Sequence, residues 1–264
     1  MRCGRFFTRI SPMETKQKQS KNPFKLLRPF DIALWSVSVL VITLSFVFSP
    51  RKDPLTLCSS LVGVSSLVFI AKGNIWGQIL MIAFALSYGV VSFFFRYWGE
   101  MITYLCMSLP AAVFSLVSWI RHPFEQSQQV AVGSLNAKKV AGVALLSAAA
   151  TAAFYFILRA LETPNLLFST LSVTTSVLAA SLSFLRSPFY ALAYTGNDLV
   201  LIVLWSLAAY ADMSYFPMIF CFVMFLFNDI NGFVNWRLRL KRQRAALAAQ
   251  TAATPCETSD PQNS

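Results

Sequence analysis

Eight apolar runs, each about twenty residues long, follow one another along the chain, and each is long enough for a helix to cross the hydrocarbon core of a bilayer. They cover approximately residues 28–48, 54–71, 75–95, 99–119, 140–160, 165–185, 188–210 and 215–236. Backbone polar groups cannot be left unpaired in lipid, so runs of this length read as helices. Turn and charge signals separate most of them: Pro50-Arg51-Lys52-Asp53-Pro54, Lys72-Gly73-Asn74, Arg121-His122-Pro123, Glu162-Thr163-Pro164, Arg186-Ser187-Pro188 and Ala211-Asp212. The expected fold class is therefore an all-α integral membrane protein of about eight transmembrane helices. Composition agrees, because only 12% of the residues are charged while 56% are hydrophobic, whereas soluble domains carry roughly 25% charged residues.

Charge distribution sets the expected orientation. The formal net charge of +11 does not mark a nucleic-acid binder, because the basic residues sit in tails and short loops between apolar runs. Placing both termini in the cytoplasm leaves only Arg51, Lys52, Arg96 and Arg159 outside, as expected when positive loops stay inside. The chain divides into a basic cytoplasmic tail (1–27), a transmembrane domain (28–240) and a polar tail (241–264) expected to be disordered and cytoplasmic. A faint repeat runs through the domain: the segment from Met101-Ile102 to Trp119 has the length of that from Met218-Ile219 to Trp236, and an Arg closely follows each Trp. Spans 2–4 and 6–8 are then two parallel triplets linked by span 5, an organisation used by transporters.

Polar residues inside the spans mark the candidate site. In span 7, Asp198 lies near mid-membrane, where an ionised carboxylate costs about 2.5–3.5 kcal/mol on insertion scales and must face protein or water. Tyr190, Tyr194 and the pair Asn197-Asp198 follow at helical spacing along this span. In span 8, Asn228 and Asn231 sit deep enough to line a cavity, whereas Asn235 and Trp236 read as interfacial anchors. Trp98 and Glu100 at the start of span 4, and Gln78 in span 3, complete the candidate set. Helix gluing by hydrogen bonds is the competing role for the amides. Pro110 predicts a kink in span 4.

Other chemistry finds no support. The sole histidine, His122, falls in a loop, and five cysteines stand singly, so neither a metal site nor a disulfide framework is indicated. No H-E-x-x-H or P-loop occurs, so no catalytic residue, cofactor or direct use of ATP is expected. Aromatic faces attract organic cations, and the arginines near the spans lie at their ends, where they are poorly placed for a phosphate. Transport of a vitamin or nucleoside, and a non-transporting receptor or scaffold, are the readings these residues alone leave open.

Four stretches together resemble the PnuC family of nicotinamide riboside transporters: Lys72-Gly-Asn-Ile-Trp-Gly77, Tyr97-Trp-Gly-Glu-Met101, Ser187-Pro-Phe-Tyr-Ala-Leu-Ala-Tyr-Thr-Gly-Asn-Asp198 and Asn228-Asp-Ile-Asn-Gly-Phe-Val-Asn-Trp236. Some members carry Trp-x-x-Trp in span 7, where this chain has Ala191 and Tyr194. The resemblance implies a SWEET-like 3+1+3 core with an extra N-terminal helix, and a homotrimer in the bacterial inner membrane. It also implies facilitated uptake of nicotinamide riboside for NAD biosynthesis, trapped by a cytosolic riboside kinase.

Overall fold

The computed structural model describes residues 26–50, 53–94, 101–125, 129–163 and 165–253. Eight helices in it are long and apolar enough to cross a membrane: α1 (Pro29–Val47), α2 (Pro54–Ala71), α3 (Ile75–Phe94), α4 (Thr103–Arg121), α5 (Ala137–Ala160), α6 (Leu166–Phe184), α7 (Phe189–Ala211) and α8 (Phe216–Ala253). Among the described residues there is no strand beyond two isolated bridges at the segment that follows α4. The all-helical, eight-span expectation holds.

Local chemistry fixes the helix ends. Asp53 caps α2, its carboxylate accepting from the amides of Leu55 (3.2 Å) and Thr56 (3.1 Å), with Pro54 as the first helical residue. This is the preferred arrangement at a helix start, where free N–H groups need acceptors. Asn136 caps α5 through the Lys139 amide at 2.9 Å. In α4, residues Thr103–Ser108 form a π-helical turn immediately ahead of Leu109-Pro110. Proline lacks an N–H and its ring crowds the carbonyl four residues back, so widening the preceding turn relieves the clash. The irregularity expected at Pro110 thus takes the form of a π turn.

The helices pack as two triplets, α2–α4 and α6–α8, and the first helix of each lies against the last helix of the other: α2 contacts α8 and α4 contacts α6. The turns between the first two helices of each triplet repeat one hydrogen-bond pattern. Gly73 N–H donates to Ile70 and Asn74 N–H to Phe69; in the second triplet Arg186 N–H donates to Ser183 and Ser187 N–H to Leu182. Gly73 (φ +59°) and Arg186 (φ +57°) both take the left-handed conformation that closes such a helix end. Each new helix is then capped alike: Asn74 Oδ1 accepts from Trp76 N–H (2.9 Å), and Ser187 Oγ from Phe189 N–H (3.3 Å). α1 stands outside this symmetry, against α2 and α8, and α5 links the triplets while packing chiefly on α6.

α8 extends further than its apolar run suggests, remaining helical to Ala253. The polar tail expected from residue 241 is therefore helix over its first part. Two causes are visible: Ala245, Ala246, Ala248 and Ala249 are strong helix formers, and Gln243 is buried against the segment following α4.

Candidate substrate site

The end of the bundle where the basic loops gather is closed by two indoles. Trp119 of α4 and Trp236 of α8 are both fully buried, with ring centroids 5.5 Å apart. Each indole N–H donates to the last turn of the opposite triplet's first helix, Trp119 to Ser183 O (3.1 Å) and Trp236 to Ile70 O (2.9 Å). The two bonds are equivalent in the two triplets, and both rings are enclosed by protein. Beneath them the segment after α4 stitches the two matched turns together: Val130 N–H donates to Gly73 O and Gly133 N–H to Arg186 O, both at 3.0 Å. Gln243 accepts from Val132 N–H (2.8 Å) and donates to Val130 O (3.1 Å). Arg239 stacks on Trp236 at 4.9 Å and donates to Ala71 O at 3.3 Å.

A buried ionic network lies beside this closure, between α1, α2 and α8. Lys72, one residue beyond α2, pairs with Asp31 of α1, and Lys72 Nζ also donates to Asn235 Oδ1 at 2.9 Å. Asn231 Nδ2 donates to Asp31 (3.0 Å), and Asn235 Nδ2 donates to Asn231 Oδ1 and O (both 2.9 Å). Burial lowers the pKa of the Lys72 ammonium, and Asp31 raises it part of the way back. Charge and hydrogen-bonding capacity are thus matched, as a buried ion pair requires.

Deeper in the bundle the polar groups are arranged differently. Tyr190, Tyr194 and Asp198 follow one another by single turns on one stripe of α7, with Tyr190 and Tyr194 rings 6.2 Å apart. Tyr190 also meets Trp236 edge-on at 5.0 Å. The Asp198 carboxyl lies within hydrogen-bonding reach of the Asp229 carboxyl on α8. Both residues are buried, and Asp198 Oδ2 has no hydrogen-bond partner among the described residues. Neither carboxyl has an ion pair among the described residues.

The structure therefore divides the residues expected to form one site. Tyr190, Tyr194 and Asp198 lie along one stripe of α7, running from the closed end at Trp236 toward the middle of the helix. Asn197 turns toward α6, its Oδ1 accepting from Thr175 (2.8 Å) and Ser176 (3.0 Å). Asn228 Nδ2 donates to Ser38 of α1 (3.0 Å) and to Met224 O (2.8 Å), so Asn228 and Asn231 both face α1 rather than Asp198. Gln78 is buried and bridges the triplets through Ser183 Oγ at 3.3 Å. Trp98 and Glu100 lie outside the described residues. Asp229 is the member that sequence reasoning passed over: the spacing of Asn228, Asn231 and Asn235 drew attention to the neighbouring face of α8. An acid in an apolar run, at a depth similar to that of Asp198, was the available signal.

Residues 53–238 match the model of the nicotinamide mononucleotide transporter family. The chain belongs to this family. Among its relatives are two proteins named nicotinamide riboside transporter PnuC. The one from Neisseria mucosa is 24% identical over 216 residues, 80% of this chain and 82% of that protein. The one from Haemophilus influenzae is 23% identical over 217 residues, 81% of this chain and 92% of that protein. A solved structure described as the crystal structure of the vitamin B3 transporter PnuC superposes with a TM-score of 0.70 at 22% identity, covering 82% of this chain and 94% of that one. Membership makes the chain a multi-pass membrane transporter rather than an enzyme. Exposed side chains such as Phe94, Leu145, Phe156 and Leu167 suit helix faces in contact with lipid.

Proposed function

We propose that the chain is a facilitative transporter, a uniporter, that takes up nicotinamide riboside across the bacterial cytoplasmic membrane for NAD biosynthesis. The observation that carries this reading is the assembly of half-buried Tyr194 with the buried acids Asp198 and Asp229 between α7 and α8. Nicotinamide riboside is a pyridinium cation with an amide and ribose hydroxyls. A tyrosine face attracts the ring charge, and an acidic centre supplies the counter-charge. Tyr190 extends the aromatic stripe, Gln78 joins the two triplets, and Trp98 and Glu100 are kept in the proposed site on the sequence alone. Asn197, Asn228 and Asn231 are assigned to helix packing, because each is already engaged by a neighbouring helix.

The same chemistry disfavours a phosphorylated substrate. Lys72 is committed to Asp31, and Arg239 lies on Trp236 at the closed end. A riboside phosphorylated by a cytosolic kinase would no longer fit, which traps it inside. Both termini are assigned to the cytoplasm, in line with the gathering of Lys and Arg at that end. A homotrimer is the proposed assembly. Uptake of labelled nicotinamide riboside into proteoliposomes tests the reading: internal label is expected to approach the external concentration and to exceed it only under an inside-negative potential. Uptake no greater than in protein-free vesicles, with the protein folded, would sink it.

A further inference from the structure

We infer that Asp198 and Asp229 share one proton, and that the single negative charge they retain is the counter-charge for the cationic substrate. This rests on the transport reading above and adds to it a residue, a protonation state and a rule for substitution. The geometry leads there in three steps. The two carboxyl groups are both buried and lie within hydrogen-bonding reach of each other between α7 and α8. Two carboxylates in contact in a low-dielectric setting cannot both ionise, so one keeps its proton and donates it to the other. Among the described residues no cation pairs with the remaining charge: Lys72 is held by Asp31, and Arg239 by Ala71 and the Trp236 ring.

A second observation points outward to a ligand. Asp198 Oδ2 is buried and has no hydrogen-bond partner among the described residues, whereas the acceptors of the Asp31–Lys72 network are engaged. Among the described residues, the titratable side chains that face the pair are Tyr190 and Tyr194 from α7 and Cys221 from α8, all of them neutral in their ordinary form. The pair therefore offers one negative charge and one free acceptor beside an aromatic ring, a receptor for a monovalent organic cation. Binding such a cation neutralises the site without moving the proton, which stays between the two carboxyls.

The shared proton dictates how substitutions behave. An Asn amide N–H donates a hydrogen bond in the place of a protonated carboxyl, so Asp198→Asn and Asp229→Asn each keep one carboxylate with a donor beside it. Only the double substitution removes the charge. The test uses full-length protein in detergent, with nicotinamide riboside as the cation and its reduced, uncharged dihydropyridine form as the neutral probe. Infrared spectra of the empty wild-type protein at neutral pH are expected to show a protonated carboxyl that vanishes in either single variant. Each single variant is expected to bind the cation a few-fold more weakly. The double variant is expected to lose about ten- to a hundredfold in preference for the cation over the neutral form, the scale of a hydrogen bond to a charged group. Retained binding of the neutral form shows that the double variant is folded. Absence of the wild-type carboxyl band, or a double variant that still prefers the cation, would overturn the inference while leaving transport intact. Wild-type protein that binds neither form overturns the transport reading, and with it the counter-charge role.

Discussion

Two buried ionic groups lie against α8, and they differ in a way that separates structure from function. Near the closed end, Asp31, Lys72, Asn231 and Asn235 satisfy one another: the carboxylate has its ammonium, and the amides are paired. Deeper in the bundle, Asp198 and Asp229 face each other with like groups and, among the described residues, with no ion pair and an unpartnered oxygen. The first group spends its polarity on holding α1 and α2 to α8. The second has polarity left over, which a folded membrane protein keeps where something else is to bind. Burial alone does not distinguish the two, since all four charged side chains are nearly inaccessible; compensation does.

Breaking the compensated group should have the largest effect on stability. Lys72→Met leaves Asp31 buried without its partner, a change that typically costs about 3–5 kcal/mol. Thermal melting in detergent should show a steep loss, and adding Asp31→Asn in the same chain should recover much of it. Riboside affinity of the folded fraction should be little changed, because the network is not part of the proposed site. A Lys72→Met protein of normal stability that fails to bind would reverse the assignment of the two groups.

A smaller effect sharpens the comparison within α7 itself. Asn197 and Asp198 are adjacent in sequence but face different neighbours, Asn197 toward Thr175 and Ser176 of α6. Asn197→Ala should cost only about 0.6 kcal/mol, the average for interhelical side-chain hydrogen bonds in a membrane. Thr175 keeps a partner in its own helix, the carbonyl of Leu171 at 3.0 Å, which limits the loss. Binding of the riboside should stay close to that of the unsubstituted protein in a fluorescence or calorimetric titration. A large fall in affinity with little change in melting temperature would put Asn197 back at the substrate.

The span count and much of the pairing were legible in the sequence because they follow from apolar length and from local turn chemistry. Lys72-Gly73-Asn74 and Arg186-Ser187-Pro188 read as breaks, and they are the matched turns of the two triplets. The Trp119 and Trp236 landmarks were also visible, but their shared role was not: it depends on the crossing of α4 onto α6 and of α8 onto α2. The site was legible in part. Asp198 stood out by its depth, and Tyr194 by its helical spacing from it. Asn228 and Asn231 looked equally eligible, because an amide on a helix face gives no sign of which neighbour it meets. Here that neighbour is α1, the helix outside the repeat, which draws both amides away from the centre. Asp229 was missed for the complementary reason: only the rotation of α8 against α7 brings its carboxyl to Asp198.

A structure determined with nicotinamide riboside bound tests the central claim most directly. The pyridinium ring is expected against the face of Tyr194, within about 6 Å of its centroid as cation–π contact requires, with the Asp198–Asp229 pair as its nearest charged neighbour and the Asp31–Lys72 network intact. A riboside seated instead between α1 and α8, beside Asn228 and Asn231 with Lys72 released from Asp31, would contradict the account.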